Sequence, residues 1–202
     1  MMINKDLIEV NLKYDIYDYK NALNILQKNY AKEYNEIIEC LKLIVISKDD
    51  IVENGGNQSN IAKNIKSIFK NKYWKDECQI SAKISDHDIY TSHHIDLFKN
   101  NIAIEVEWNN KDTFFDRDIL NNNKLYNKEK ISLAVIITRS DDLQEVFNIL
   151  NKGTSYGSST THIGKIKNKL LGTECPTIVF GIKPELISEQ QFEKQKSLFD
   201  YF

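Results

Sequence analysis

Proline and glycine are scarce in this chain, 2 and 7 among 202 residues, and no Ser/Gly/Pro-rich stretch or internal repeat divides it. That excludes domains strung on a flexible linker, as well as a solenoid; the length suits one sizeable core, so a single domain over residues 1–202 is expected. Cysteine is equally sparse. Cys40, Cys78 and Cys175 are odd in number, widely spaced and form no C-x-x-C pair. A disulfide framework and a zinc module are excluded, and reduced, mostly buried thiols are expected. No apolar run approaches the roughly 18 residues of a membrane span, and the start MMINKDLIEVNLKYDIYDYK lacks the apolar stretch of a signal peptide. A cytoplasmic protein without membrane contact is expected.

A dominant charge is missing too: the formal net charge is only -2, which argues against a uniformly basic, nonspecific polyanion binder. The balance is uneven along the chain. Residues 151 to 173 hold Lys152, Lys165, Lys167, Lys169 and His162 and no acid. A basic segment on an acidic body suits a phosphate-contacting surface beside a metal-binding pocket; a solvated helix face explains the charge equally well.

What is present is clear hydrophobic patterning. From Asn21 to Leu43, the residues Leu26, Tyr30, Tyr34, Ile37, Ile38 and Leu41 recur at three- and four-residue steps and predict one long helix. After the turn Asn54-Gly55-Gly56-Asn57, Ser59 is placed to cap a second helix, whose Ile61, Ile65 and Phe69 share a face. The period then changes. CQISAKIS, HIDLF and IAIEVEW alternate apolar with polar residues as half-buried strands do. DRDILNNNKLYNK reads as a helix, SLAVIIT as a buried strand, DDLQEVFNILN as a helix capped near Ser140, and PTIVFGI as a last buried strand. A strand hairpin followed by alternating helix and strand implies an α/β fold with a mixed sheet covered by helices.

The candidate chemistry lies in the hairpin. Asp96, Glu105 and Glu107 form the pattern D-x8-E-x-E; with 29 acids in 202 positions, chance alone supplies roughly 0.6 such patterns, so context must carry the argument. In Ile102-Ala103-Ile104-Glu105-Val106-Glu107-Trp108 the large apolar residues point one way, which sends Glu105 and Glu107 the other. The same alternation sets Asp96 opposite Ile95 and Leu97. Asn100-Asn101 tolerates the positive φ of a two-residue hairpin turn. Counting back from Lys99 opposite Ile102 pairs Phe98 with Ala103, Leu97 with Ile104, Asp96 with Glu105 and Ile95 with Val106. Opposed carboxylates repel, and a divalent cation such as Mg²⁺ is the simplest compensation, with the Val106 carbonyl available as a further oxygen ligand. An exposed hairpin with solvated acids is the alternative. His93 and His94, without zinc spacing, read as ordinary hairpin residues.

Asp96, the eight-residue gap and the strand Ala-Ile-Glu105-Val-Glu107-Trp resemble the active-site hairpin of the restriction endonucleases typified by BglII, BstYI and BamHI, within the PD-(D/E)xK nuclease superfamily. IYDYKNALNIL, GGNQSNIAKNIKSIFKNKYWKDE, ISLAVIIT and TIVFGI follow the same order as in that group, so the resemblance covers most of the chain. It implies a restriction-endonuclease-like core and hydrolysis of DNA phosphodiesters by a metal-activated water, with one or two Mg²⁺ per site and 5′-phosphate ends. By the same resemblance Asp96 and Glu105 match the metal-binding carboxylates. Glu107 stands where many of these nucleases have Lys, BglII and BstYI have Gln and BamHI has Glu. It is either a ligand of a second metal or the base that orients water. Glu77, three residues after Trp74, resembles a helix-borne accessory acid of BamHI.

The resemblance also marks two segments for DNA contact. Asn109, Asn110 and Lys111 follow the acidic strand, where amides can read adenine and lysine can meet phosphate. The loop with Ser155, Tyr156, Ser158, Ser159, Thr160, Thr161 and His162, followed by Lys165, resembles a Ser-Tyr recognition loop that continues differently after the tyrosine; a polar connector is its bland reading. Asn57 and Gln58 are third candidates, for the backbone or minor groove. A palindromic double-stranded DNA site calls for a homodimer, a GATC centre is the leading expectation for that site, and a cognate DNA methyltransferase is expected in the same system. Two other readings stay open from sequence: another metal-dependent nuclease of repair or mobile elements, and a non-catalytic DNA-binding relative.

Overall fold

The computed structural model describes residues 5–52, 59–83, 90–108, 112–153 and 163–187. Its helices are α1 (Lys5–Lys13), α2 (Ala22–Asn29), α3 (Ala31–Leu43), α4 (Lys48–Val52), α5 (Asn60–Lys70), α6 (Asp112–Asn127), α7 (Leu143–Ile149) and α8 (Ile163–Leu170). Its strands are β1 (Tyr14–Tyr19), β2 (Lys75–Lys83), β3 (Tyr90–Lys99), β4 (Ile102–Val106), β5 (Leu133–Arg139) and β6 (Thr177–Ile182). They form one six-stranded sheet in the order β1-β6-β5-β4-β3-β2. β4, β5 and β6 run parallel, joined by helical crossovers, while β1, β2 and β3 pair antiparallel. The expected mixed α/β sheet is therefore the observed one.

Helices cover both faces. On one face Ile102, Ile104, Val106, Val135, Ile137, Ile178 and Phe180 pack with Val10 of α1, Leu26 of α2, Ile37 and Leu41 of α3, Ile65 and Phe69 of α5 and Phe147 of α7. On the other, Ala103 and Ala134 meet Leu125 of α6, and Ile136 and Val179 meet Ile119 of α6 with Ile166 and Leu170 of α8. Each of these Val, Leu, Ile and Phe side chains, fully buried, contributes about 1.5–3 kcal/mol. IAIEVEW was expected to be half-buried. Because α6 closes the second face, every residue from Ile102 to Trp108 is buried instead.

Two further expectations change. The long helix over 21–43 is two helices meeting at Tyr30 (φ -137°, ψ 46°). Tyr30 still donates to the Leu26 carbonyl and accepts from the Tyr34 amide, so the hydrophobic phase survives the break, and its hydroxyl bonds Ser132 at the head of β5. The segment before it forms β1, an edge strand that alternation did not reveal because Tyr14 alone in it is fully buried. Ser59 caps α5 as expected, its hydroxyl accepting from the Ala62 amide at 3.1 Å. Ser140 uses its carbonyl, not its side chain, at the start of α7.

The cysteines are free thiols; burial pushes Cys40 and Cys175 up to about 12. Among the described residues no helix is long and apolar enough to cross a membrane.

Candidate active site

The β3–β4 turn is built as its sequence implies: Asn100 and Asn101 take φ 46° and 62°, the left-handed region that asparagine tolerates. Lys99 is tied to Glu36 of α3 at 2.7 Å and Asn100 to Glu33 at 2.6 Å, which clamps the hairpin onto the helical layer. The register follows, with Lys99 opposite Ile102, Phe98 opposite Ala103 and Leu97 opposite Ile104.

The ladder stops there, one residue short of the expected Asp96–Glu105 pair. Beyond it side chains replace main-chain pairing. The Asp96 amide donates to Glu105 Oε2 at 3.3 Å, and the Val106 amide donates to Asp96 Oδ2 at 2.9 Å. The alternation in β3 also breaks at this point. Ile95 packs in the α6-side core and Leu97 in the opposite one, although residues two apart in a regular strand share a face. Asp96 was expected opposite an apolar pair; it lies instead where the strand changes face, and this lets it reach both the α5 side and the main chain of β4.

Glu105 is 2% exposed. Its Oε1 accepts from His93 Nε2 at 2.8 Å and lies 3.5 Å from the Asn122 amide of α6. On its other side, His93 Nδ1 lies 3.3 Å from the Asn121 side-chain amide of α6. Burial raises Glu105 to about 7, against the opposing pull of His93. For His93, burial disfavours the charged ring, but Glu105 and Asp118 outweigh it and raise the group overall. His93 thus belongs to the acid cluster and is not a plain hairpin residue. Its spacing from Ile95 on β3 was the signal, since it places the ring on the buried α6 side.

Glu107 is 3% exposed, and its amide donates to the Ile137 carbonyl at 2.8 Å, extending the β4–β5 pairing. Arg117 of α6 bonds Asp118 at 2.9 Å. That bond first, and the nearby Glu107 and Glu105, raise the guanidinium above its ordinary range. Glu105 and Glu107 therefore share the α6 side, as alternation predicted.

Glu77 is a correction. It lies on β2, not on a helix, at the register position opposite Asp96, with φ 47° and with the pairing omitted there. Lys66 of α5 bridges the two acids, bonding Glu77 and, at 2.8 Å, Asp96 Oδ1. Sequence reasoning missed Lys66, although its place four residues after Ala62 and three before Phe69 puts it on the packed side of α5. Against burial, its bonds to Asp96 and Glu77 raise it above the ordinary lysine range.

Lys165 lies on α8, half-buried, and that helix packs mainly on α6, β1 and β6. Asn57, Gln58, Asn109, Asn110, Lys111, Ser155, Tyr156, Ser158, Ser159, Thr160, Thr161 and His162 lie outside the described residues.

Two carboxylates, each bonded to a main-chain amide of the neighbouring strand where the ladder opens, thus stand near a third acid on β4. The family described as restriction endonuclease BglII/BglIII matches residues 14–182. The chain belongs to this restriction endonuclease family. The match runs from the first residue of β1 to the last of β6, so it spans the whole sheet. As a member, the chain is a type II site-specific deoxyribonuclease, a hydrolase acting on double-stranded DNA. No curated protein matches the chain significantly.

Restriction endonucleases of this family typically use a divalent metal. No group of three or more His, Cys, Asp or Glu side chains is arranged as a ready metal cage among the described residues. Mg²⁺ does not require one. It commonly takes one or two carboxylates and completes its shell with water and substrate phosphate. Asp96 and Glu105 supply hard oxygen donors, and both Asp96 oxygens and Glu105 Oε2 keep a second lone pair beyond the bond described. The donor set fits a hard divalent cation.

Proposed function

We propose that the chain cleaves double-stranded DNA at a short palindromic sequence in a Mg²⁺-dependent reaction that leaves 5′-phosphate ends. The observation that carries the proposal is the gap where the β3–β4 ladder ends, across which Glu105 accepts from the Asp96 amide and Asp96 accepts from the Val106 amide. Asp96, Glu105 and the Val106 carbonyl would hold the cation, and Glu107 is either a ligand of a second cation or the group that orients water. When bound, the cation polarises the scissile phosphate and lowers the pKa of a bound water.

The protein's own contribution is positional. Asp96 is held at both oxygens, by Lys66 and by the Val106 amide. Glu105 is held by His93, by the Asp96 amide and by α6. Sites held this way need little reorganisation at the moment of reaction. Glu77 serves the centre through Lys66.

Asn109, Asn110 and Lys111 follow the acids directly in sequence and are, by their chemistry, the first candidates for base and phosphate contact. The segment Ser155 to His162 with Lys165 is the second, and Asn57 with Gln58 the third. A homodimer on a GATC-centred site, a cognate methyltransferase, a cytoplasmic setting and kinship with BstYI and BamHI in the PD-(D/E)xK superfamily complete the reading.

Digestion of a sequenced genome with Mg²⁺ and mapping of the ends tests it. Discrete fragments ending at one short sequence with 5′ phosphates are expected, with no cutting when the metal is chelated. Glu105→Gln should slow cleavage by on the order of 10³-fold, the scale for losing a main electrostatic group. A smear of fragments, or full activity in chelator, would sink the proposal.

A further inference from the structure

Lys66 is a lysine of α5 that is almost wholly buried, its side chain 8% exposed, and such burial is rare for lysine without a specific pairing. Its ammonium bonds Asp96 Oδ1 at 2.8 Å and also Glu77. Glu77 holds the register position opposite Asp96, and the Asp96 amide bonds Glu105, so the ammonium joins two of three acids that meet around β3. The backbone marks the same spot. Glu77 holds φ 47° in the middle of a strand, a left-handed conformation that costs a non-glycine residue energy and persists only where its surroundings enforce it.

We propose that Lys66 is a positioning residue of the cleavage reaction: its ammonium fixes the direction of Asp96 and, by its charge, weakens the site's hold on the divalent cation while raising turnover. The inference rests on the metal-dependent reading above. Two consequences of opposite sign follow from the geometry. Without the ammonium, Asp96 keeps only the Val106 amide and faces Glu77 unscreened, so it turns away from its working direction. Displacement of one reacting group by about 1 Å can cost on the order of 10²-fold in rate. At the same time a positive charge is removed from beside the cation site. Like charges a few ångströms apart at a partly screened site repel by more than the energy of a ten-fold affinity change, so the cation binds about ten-fold tighter or better.

A merely structural ion pair predicts something else, because loosening the site would weaken metal binding and activity together. The test is Lys66→Met, with Mn²⁺ titrated calorimetrically into metal-free enzyme without DNA, and cleavage followed at saturating Mg²⁺. Tighter Mn²⁺ binding with turnover reduced about 10²-fold and little change in KM for DNA is the expected result. Lys66→Arg, which keeps the charge, should bind Mn²⁺ like wild type and recover part of the turnover. Lys66→Gln keeps hydrogen bonds to both acids without the charge and serves if Lys66→Met does not fold; it should also bind Mn²⁺ more tightly, with a smaller loss of turnover. Mn²⁺ binding that is unchanged or weaker in the uncharged variants, or unchanged turnover, overturns the inference. If wild type itself binds no Mn²⁺ and cuts in chelator, the metal-dependent reading falls and the inference with it. If wild type binds Mn²⁺ and the uncharged variants bind no better, the inference alone falls.

Discussion

Glu105 of β4 and Ile136 of β5 are register partners on neighbouring parallel strands, 2% and 1% exposed, and both face the α6 side of the sheet. One is a carboxylate and the other an isoleucine. The difference lies in what flanks each strand. At Ile136, β5 is paired on both sides, by β4 and β6, so a carboxylate at that position would find no main-chain amide left over. β4 loses its β3 neighbour after Leu97–Ile104, and the amides freed by that separation are the ones that bond Glu105 and Asp96. Buried charge is tolerated in this sheet where the ladder opens.

Exchanging the two environments is the strongest test of that contrast. Ile136→Glu puts a carboxylate where no main-chain amide is left over and should destabilise by more than about 4 kcal/mol, read by urea unfolding; a loss under about 1 kcal/mol would show that α6 supplies the donors on its own.

The second test removes the support while keeping the acid. His93→Ala leaves Glu105 without its 2.8 Å partner and should cut activity about 10- to 100-fold, the usual cost of losing a group that orients a metal-binding side chain. Unchanged activity would mean the Asp96 amide and Asn122 suffice.

The third is a pH profile. Glu105 is raised to about 7 by burial, so the metal-free protein gains stability from its protonated form. That gain is complete below the unfolded value near 4.5 and disappears as pH climbs to about 7. His93, raised as well, adds a contribution of the same sign that is lost as pH rises through its folded value. Tm of the metal-free protein should therefore fall from pH 5 to pH 8, and Glu105→Gln should flatten the slope. A Tm that rises over that range would contradict the burial argument.

The smallest effect is at the start of α5, the helix that carries Lys66. Ser59→Ala removes the cap bond to Ala62 and should cost about 1 kcal/mol, with cleavage nearly unchanged if the packing of Ile61, Ile65 and Phe69 alone holds the helix in place.

Sequence by itself determined the elements whose cause is local. The left-handed turn at Asn100-Asn101, the first three hairpin pairs, the Ser59 cap, the buried β5 and β6 and the shared side of Glu105 and Glu107 all follow from a residue's own backbone preference or from a period of two or four. That Asp96, Glu105 and Glu107 belong to one hairpin region was legible for the same reason. Their setting was not. Where β3 leaves β4, how Asp96 comes to serve as a hydrogen-bond partner of the next strand, and why Glu77 stands on β2 depend on how the strands twist under two helical layers. Lys66 and His93 join Asp96 and Glu105 from 30 and 12 residues away along the chain. Only the tertiary structure could decide those meetings, because burial and pairing across such separations belong to the packed sheet and not to any segment of it.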